Sequence, residues 1–191
     1  MATHDAATDR LVVVLAGAES TGKSALAVAL AERLGAPRVE EVARGYFASR
    51  PGPESPPRYD SGDLLRIARL QHEAEQRVLH SSAPLVIADT DLAVIRVWWE
   101  RRFGTPDPWI DDTLRAVQRT GHRRYLVPRP DLPWQPDPLR ENPHDRESLH
   151  RRYIELLREL GAPFVEVTGT GTDRFERALE AVRSWLSERA S

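Results

Sequence analysis

Short apolar runs alternate with longer segments of helical periodicity along the chain. Residues 11–15 form a continuous run, rich in valine and ending near Gly17, that is typical of a strand buried on both faces. Further strands are predicted at 38–42, 85–88, 124–127 and 164–167. Apolar residues spaced three or four apart predict helices at 23–34, 62–80, 92–102, 110–120, 145–160 and 173–189. Strands alternating with helices predict an α/β fold, in which helices cover both faces of a parallel sheet.

Two proline-rich segments interrupt this pattern. Residues 49–61 contain four prolines and are predicted to form an exposed loop. Residues 128–143 contain six prolines in sixteen positions, together with Trp134, and cannot form a strand or a long helix. We expect residues 128–143 to be a lid that closes over a bound ligand. A surface loop with Trp134 tucked into the core is the alternative.

Composition narrows the class of protein. A length of 191 residues suggests one domain over 1–191, with about the first ten residues flexible. A net charge of −2 gives no electrostatic reason to expect a nucleic-acid partner. The chain has no cysteine, which excludes a thiol nucleophile and a cysteine-ligated zinc site. The longest apolar run is too short to span a membrane, and the polar N-terminus does not resemble a targeting peptide, so we expect a cytoplasmic protein.

Lysine occurs once. Of 27 basic residues, Lys23 is the only one that is not an arginine. A lysine presents a compact point charge, whereas a guanidinium group is broad and planar. The position of Lys23 therefore points to a place where a compact cation is needed; chance placement of a single lysine is the alternative, and the neighbouring residues decide between them.

Lys23 lies in the pattern G-x-x-x-x-G-K-S, which spans residues 17–24 between a predicted strand and a predicted helix. Glycines allow such a loop to wrap a polyphosphate, so that backbone N–H groups and the helix N-terminus face the anion. Lys23 is expected to reach the β- and γ-phosphates of ATP, and the Ser24 hydroxyl to bind Mg²⁺. The alternative is a glycine turn with a solvated lysine. The predicted nucleotide-binding residues are Gly17, Ala18, Glu19, Ser20, Thr21, Gly22, Lys23, Ser24 and Ala25.

Acidic residues follow two other strands at the same predicted edge of the sheet. Asp89 ends a strand, where it is expected to help Ser24 hold the metal ion. Asp91 is either a contact to the phosphate acceptor or the N-cap of the next helix. Glu41 is placed to accept a proton from an attacking hydroxyl, and Arg44 to hold substrate or phosphate. A solvated charged turn that starts a helix is the alternative for this pair.

The tryptophans and histidines give weaker signals. Trp98 and Trp99 are adjacent, so a helix cannot point both in one direction; both pack in the core, or one stacks on a base. Trp134 is a candidate substrate contact. None of the six histidines has the spacing of metal ligands.

Together these motifs resemble the ribosylnicotinamide kinase domain of NadR-type proteins and related AAA-type ATP-binding domains. The resemblance rests on residues 17–24, Glu41-x-x-Arg44, Asp89-Thr90-Asp91, and the lid-like stretch 130–140, and it spans nearly the whole chain. It implies a P-loop kinase fold, a three-layer sandwich with a five-stranded parallel sheet in the order 2-3-1-4-5. It also implies transfer of the γ-phosphate of ATP to the 5′-hydroxyl of nicotinamide riboside, and it matches Arg140 to the arginine of the family's lid.

Two departures from the family pattern modify these expectations. NadR proteins carry a nucleotidyltransferase domain ahead of the kinase domain, and only about ten residues precede the first strand here, so we expect no adenylyltransferase activity. Pro138 occupies the position of a glycine in the family's lid motif, which is expected to alter the motion of the lid.

Three functions are compatible with this sequence. The first is an ATP- and Mg²⁺-dependent kinase of nicotinamide riboside in which Lys23 and Arg140 neutralise charge and Glu41 or Asp89 is the base. The second is a regulatory module that binds nucleotide and signals through its lid. The third is a kinase of another nucleoside. The partners expected are ATP and a small nucleoside-like acceptor, without nucleic acid or membrane; the oligomeric state stays open.

Overall fold

The computed structural model describes residues 10–50, 58–137, 139–140 and 144–190. Residues 1–9, most of the segment expected to be flexible, and residues 51–57, within the predicted loop, lie outside the described residues. The elements in chain order are β1(Leu11–Leu15), α1(Lys23–Leu34), β2(Arg38–Val39), α2(Val42–Ala48), α3(Ser61–Leu79), β3(Leu85–Asp89), α4(Leu92–Phe103), α5(Pro108–Arg119), β4(Arg123–Pro128), α6(Arg146–Glu159), β5(Phe164–Val167) and α7(Gly171–Ala190).

The five strands form one parallel sheet in the order β2-β3-β1-β4-β5. Both the predicted fold class and the strand order are therefore confirmed. Leu15, the last residue of the central strand β1, pairs with Asp89 on one side and with Leu126 on the other. The carboxyl ends of β1 and β3 consequently meet at one edge, where open α/β sheets bind ligands.

The central strand explains the layered architecture. Every residue of β1 is buried, because both faces of the strand are covered by helices. Val12 and Val14 pack into a core formed with α2 to α6, whereas Val13 packs into a second core formed with α1 and α7. The result is a three-layer sandwich, which explains why the strand is continuously apolar rather than alternating.

Two similar turns return the chain from a helix to the sheet. The sequence Leu-Gly-Ala-Pro occurs at 34–37 and at 160–163. Gly35 and Gly161 have φ angles of 62° and 61°, in the left-handed region that favours glycine. Gly35 ends α1 by donating to the carbonyl oxygens of Ala31 and Glu32.

The region after β2 differs from the prediction. The sequence predicts a strand over 38–42, but the strand ends at Val39 and is followed by the helix α2; a helix start at Glu41 and Arg44 was only the alternative. Ala43 and Phe47 are four residues apart and bury one face of this helix, a periodic signal too short to recognise in seven residues. The other predicted elements match the observed ones to within two residues at each end.

The described residues of segment 128–143, for which we keep the name lid, lie against the loop that follows β1. After Pro128, the described residues of this segment contain neither helix nor strand. The backbone of Gln135 is held by Ser20, whose hydroxyl donates to Gln135 O and accepts from Gln135 N, both at 3.2 Å. Pro138, on which the expectation of altered lid motion rests, lies outside the described residues. Among the helices of the described residues, none has the length and apolar character needed to span a membrane.

Candidate active site

The loop between β1 and α1 requires glycine at both ends. Gly17 has a φ angle of 138°, and a Cβ atom there would lie 3.4 Å from the carbonyl oxygen of Pro128. Gly22 is the N-cap of α1 with a φ angle of 79°, and no side chain caps that helix. Inside the loop, the Thr21 hydroxyl donates to Ala18 O at 2.8 Å. The first-turn N–H groups of α1 have no acceptor within the helix, so the loop presents donors suited to an anion.

Lys23 lies across this loop. Its ammonium group donates to the carbonyl oxygens of Gly17 at 2.9 Å and Ala18 at 2.8 Å. Burial lowers the pKa of Lys23, and the nearby carboxylates of Glu41 and Asp89 act in the opposite direction. The Lys23 side chain is therefore bound by its own loop and is not the solvated lysine of the alternative.

Asp89 ends β3 and is almost completely buried, with 3% of its surface exposed. Its Oδ1 atom is buried and has no hydrogen-bond partner among the described residues. A buried carboxylate oxygen without a donor is costly unless a cation or ordered water completes its contacts. Asp89 and Ser24 together offer a carboxylate and a hydroxyl oxygen, the ligands that Mg²⁺ prefers, so these residues fit the predicted metal.

The structure gives Asp91 a different place from the predicted acceptor site. Its Oδ1 accepts a hydrogen bond from the backbone N–H of Ala93 at 2.8 Å, which makes it the N-cap of α4. Its Oδ2 accepts from Arg123 at 2.9 Å and from the Tyr125 hydroxyl at 2.8 Å. Because both oxygens of this buried carboxylate are engaged inside the protein, the N-cap alternative describes Asp91.

Glu41 and Arg44 start α2 as an ion pair. Glu41 Oε2 lies 2.9 Å from Arg44 Nε, and Arg44 Nη1 lies 2.9 Å from Asp137 of the lid. Burial raises the pKa of Glu41, the Asp89 carboxylate raises it further, and Lys23 and Arg44 lower it. The preceding Glu40, by contrast, has a side chain that is 76% exposed. Glu40 is therefore a solvated residue of a charged turn, as the alternative expects, whereas Glu41 is not.

A cavity of about 430 Å³ opens between the loop, α2 and the lid. Its lining contains basic and acidic side chains that come from three separate parts of the chain. The lining residues are Glu19, Ser20, Thr21, Gly22, Lys23, Ser24, Ala25, Glu41, Arg44, Leu132, Pro133, Gln135, Asp137, Leu139 and Arg140. Glu41, Arg44 and Arg140 are thus brought together with most of the predicted nucleotide-binding residues.

Three tryptophans lie outside this lining. Trp134 is half-buried, and its ring centroid lies 6.0 Å from the guanidinium carbon of Arg146. Trp98 donates from Nε1 to the Tyr59 hydroxyl at 2.6 Å, and Trp99 donates to Thr105 O at 3.0 Å. Both Trp98 and Trp99 pack among aromatic side chains, so core packing is the alternative that describes them. The described residues contain no group of three or more histidine, aspartate or glutamate side chains that could hold a metal ion.

The chain matches one protein family and several solved structures. The profile of the AAA domain family matches residues 12–174. The chain belongs to the AAA domain family. A comparison with curated protein sequences gives no match.

Solved structures share the architecture of this AAA domain. A NadR protein in complex with NAD and AMP-PNP superimposes with a TM-score of 0.71 and 23% identity, over 95% of this chain and 51% of that one. A NadR protein in complex with NR superimposes with a TM-score of 0.66 and 22% identity, over 95% of this chain and 53% of that one. For thymidylate kinase from Ehrlichia chaffeensis the TM-score is 0.62 and the identity 14%, over 93% of this chain and 98% of that one. The chain spans about half the length of the NadR proteins, and the fold that the resemblance implied, P-loop kinase-like, is confirmed.

One residue that organises the site of this AAA domain was not predicted. Arg174 of α7 is 4% exposed and donates to the carbonyl oxygens of Thr21 at 2.7 Å and Gly169 at 2.7 Å. It also donates to Arg129 O at 3.2 Å and forms an ion pair with Asp131. One guanidinium group therefore joins the loop, the lid and the start of α7. In the sequence, Arg174 is one of many charged residues on an amphipathic helix, so no local signal distinguishes it.

Proposed function

We propose that this AAA domain is a kinase that transfers the γ-phosphoryl group of ATP to the 5′-hydroxyl of nicotinamide riboside. The observation that carries the proposal is the shared cavity, which is lined both by the lysine of the phosphate-binding loop and by the half-buried carboxylate of Glu41. The likeness to NadR proteins, one of them in complex with AMP-PNP and one with NR, supports the choice of substrates.

Residues 17–25 would bind the triphosphate of ATP. The ammonium group of Lys23, which in this structure contacts two carbonyl oxygens of its own loop, would exchange them for oxygens of the β- and γ-phosphates. That exchange returns a full cation–anion contact to a lysine whose pKa is lowered by burial. Binding would therefore stabilise the charged form of Lys23.

Ser24 and Asp89 would hold Mg²⁺ at the end of β3. The support is the buried, unpartnered Oδ1 of Asp89 at the strand end next to β1. When bound, Mg²⁺ neutralises negative charge on the phosphate oxygens. Asp89 contributes a fixed carboxylate, held on a strand whose backbone is paired along its length.

Glu41 would accept the proton of the acceptor. The 5′-oxygen attacks the γ-phosphorus, the bond from phosphorus to the β–γ bridging oxygen breaks, and the hydroxyl proton passes to Glu41, which yields ADP and the phosphorylated nucleoside. Burial raises the pKa of Glu41 and makes it a better base than an exposed glutamate. Arg44 holds the glutamate in place at 2.9 Å.

The lid would exclude water and supply positive charge. Arg140 lines the cavity opposite the loop and contacts the Gln135 carbonyl oxygen, which itself belongs to the lid. A guanidinium group there can stabilise charge that develops on the transferred phosphoryl group. The ion pair between Arg44 and Asp137 joins this lid to α2.

The direct test is a panel of acceptors with Mg·ATP, scored by formation of ADP and of the phosphorylated acceptor. The panel contains nicotinamide riboside, thymidine, deoxyadenosine and thymidylate, since thymidylate kinase and deoxyadenosine kinase share the fold. Acceptor-dependent ADP with nicotinamide riboside supports the proposal. Transfer only to another member of the panel would identify that compound as the acceptor in place of nicotinamide riboside. Slow ATP hydrolysis at a rate that no nucleoside changes would favour a regulatory module instead.

A further inference from the structure

Gln71 of α3 holds the segment that carries Glu41. It is buried, with 1% of its surface exposed, and does not line the cavity at the loop. Its Oε1 accepts from the backbone N–H of Val42 at 2.9 Å. Its Nε2 donates to Glu40 O at 3.1 Å and to Thr90 O at 3.3 Å. The amide thus uses its acceptor and both donor hydrogens, and only one orientation of the group satisfies all three contacts.

Two of these contacts lie on the peptide bonds on either side of Glu41. The carbonyl of Glu40 belongs to the peptide bond before Glu41, and the N–H of Val42 belongs to the one after it. One rigid amide therefore fixes the backbone at both ends of a single residue. The third contact attaches it to Thr90, which follows Asp89 and has a φ angle of 87°, unusual for a β-branched residue.

Gln71 also accepts from the first backbone N–H group of α2, one of the donors that a helix leaves without an internal acceptor. Glu41 is the N-cap of α2, yet its side chain makes no capping hydrogen bond. An N-cap side chain usually accepts from the N–H groups of the first turn. Gln71 fixes the N–H of the first helical residue, Val42, while the Glu41 carboxylate pairs with Arg44 and lines the cavity.

We propose that Gln71 is a positioning residue that fixes the backbone of Glu41 and so orients its carboxylate for proton transfer. The inference rests on the proposed kinase function, in which Glu41 receives the proton of the acceptor hydroxyl. Gln71 touches neither substrate nor the reacting atoms, and it acts through the backbone of Glu41. A displacement of a catalytic group by about 1 Å can lower a rate by about 100-fold, so losing these contacts is expected to affect turnover strongly.

The test compares Q71M with Q76M in steady-state transfer from Mg·ATP to the acceptor that the wild-type protein uses. Methionine keeps the approximate volume of glutamine and removes its hydrogen bonds. Gln76 lies on the same helix but lines a separate cavity with Arg10 and His122. For Q71M we expect kcat to fall about 10- to 100-fold, with the KM for ATP unchanged within about twofold. Q76M is expected to keep both constants within about twofold of wild type.

A double-mutant cycle with E41Q separates positioning from a general loss of stability. If Gln71 acts through Glu41, Q71M lowers kcat in the wild-type background and has little further effect in E41Q. Equal effects of Q71M in both backgrounds, or an unchanged kcat for Q71M, would overturn the proposal. Where Q71M does not fold, Q71N takes its place, since it keeps an amide but is too short to reach both peptide bonds. Absence of transfer by the wild-type protein would instead refute the proposed function itself.

Discussion

Replacement of Glu41 by glutamine tests the assignment of the base. The change keeps the size of the side chain and removes its negative charge together with its ability to accept a proton. General bases typically contribute about 10²- to 10⁴-fold to a rate, so we expect kcat to fall by at least about 100-fold, equivalent to ~2.7 kcal/mol of transition-state stabilisation. The KM for ATP is expected to stay within about twofold, because residues 17–25 rather than Glu41 bind the triphosphate.

The same variant has an expected signature in pH dependence and stability. Burial raises the pKa of Glu41, so the wild-type rate should rise with pH through a value higher than that of an ordinary glutamate. In E41Q this acidic limb should disappear. A carboxyl group with a raised folded-state pKa contributes stability when protonated, and that contribution is lost as pH rises through the pKa. At neutral pH, E41Q should therefore be at least as stable as the wild type in thermal unfolding.

E40Q is the matched control for this prediction. Glu40 is the adjacent residue, its side chain is 76% exposed, and it pairs with Arg38 at 2.7 Å. We expect its kcat to remain within about twofold of wild type, since exposed ion pairs contribute little. An E41Q rate equal to that of wild type and E40Q would refute Glu41 as the base and transfer that role to Asp89.

Three further variants and one treatment test other contacts of the site. K23M should abolish transfer while circular dichroism shows a folded protein, and retained activity would refute the phosphate-binding role of the loop. R174M removes donors from three carbonyl oxygens and should lower the free energy of unfolding in urea by about 2–4 kcal/mol. R183M, which changes an exposed residue of the same helix, should leave this free energy unchanged. Equal urea midpoints for R174M and the wild type would contradict the role of Arg174. D91A should lower the free energy of unfolding by about 2–5 kcal/mol, because Asp91 caps α4 and pairs with Arg123. The KM for the acceptor should not rise in the folded variant, and a large rise would assign Asp91 to the acceptor site. Removal of Mg²⁺ with EDTA should stop transfer, and undiminished transfer would refute the metal assignment.

The sheet and the phosphate-binding loop could be predicted because their signals are local. Residues 11–15 are apolar without interruption because both faces of β1 are covered, and Gly17 and Gly22 adopt left-handed or close-packed conformations that few other residues allow. The resemblance added the strand order, which local periodicity does not contain. Helix α2 could be indicated only as an alternative, because seven residues with two buried positions are too short for a periodic signal.

The residues that hold the site together could not be predicted from their own neighbourhoods. Apart from the contact between Arg174 and Gly169, the backbone groups that Gln71 and Arg174 bind lie between 19 and 153 positions away in sequence, and only the fold brings them within reach. Asp91 was ambiguous for the same reason, since its choice between acceptor and N-cap depends on Arg123 and Tyr125 of β4. Polar residues inside an amphipathic helix look alike in sequence whether they face solvent or a distant loop.

A crystal structure with AMP-PNP and Mg²⁺ would show whether the loop at residues 17–25 binds the nucleotide. We predict that the triphosphate lies on this loop, with the ammonium group of Lys23 moved from the carbonyl oxygens of Gly17 and Ala18 to within hydrogen-bond distance of the β- and γ-phosphates. A nucleotide bound elsewhere, or a Lys23 that keeps its contacts to its own loop while the nucleotide is bound, would contradict the proposed phosphoryl transfer at this site.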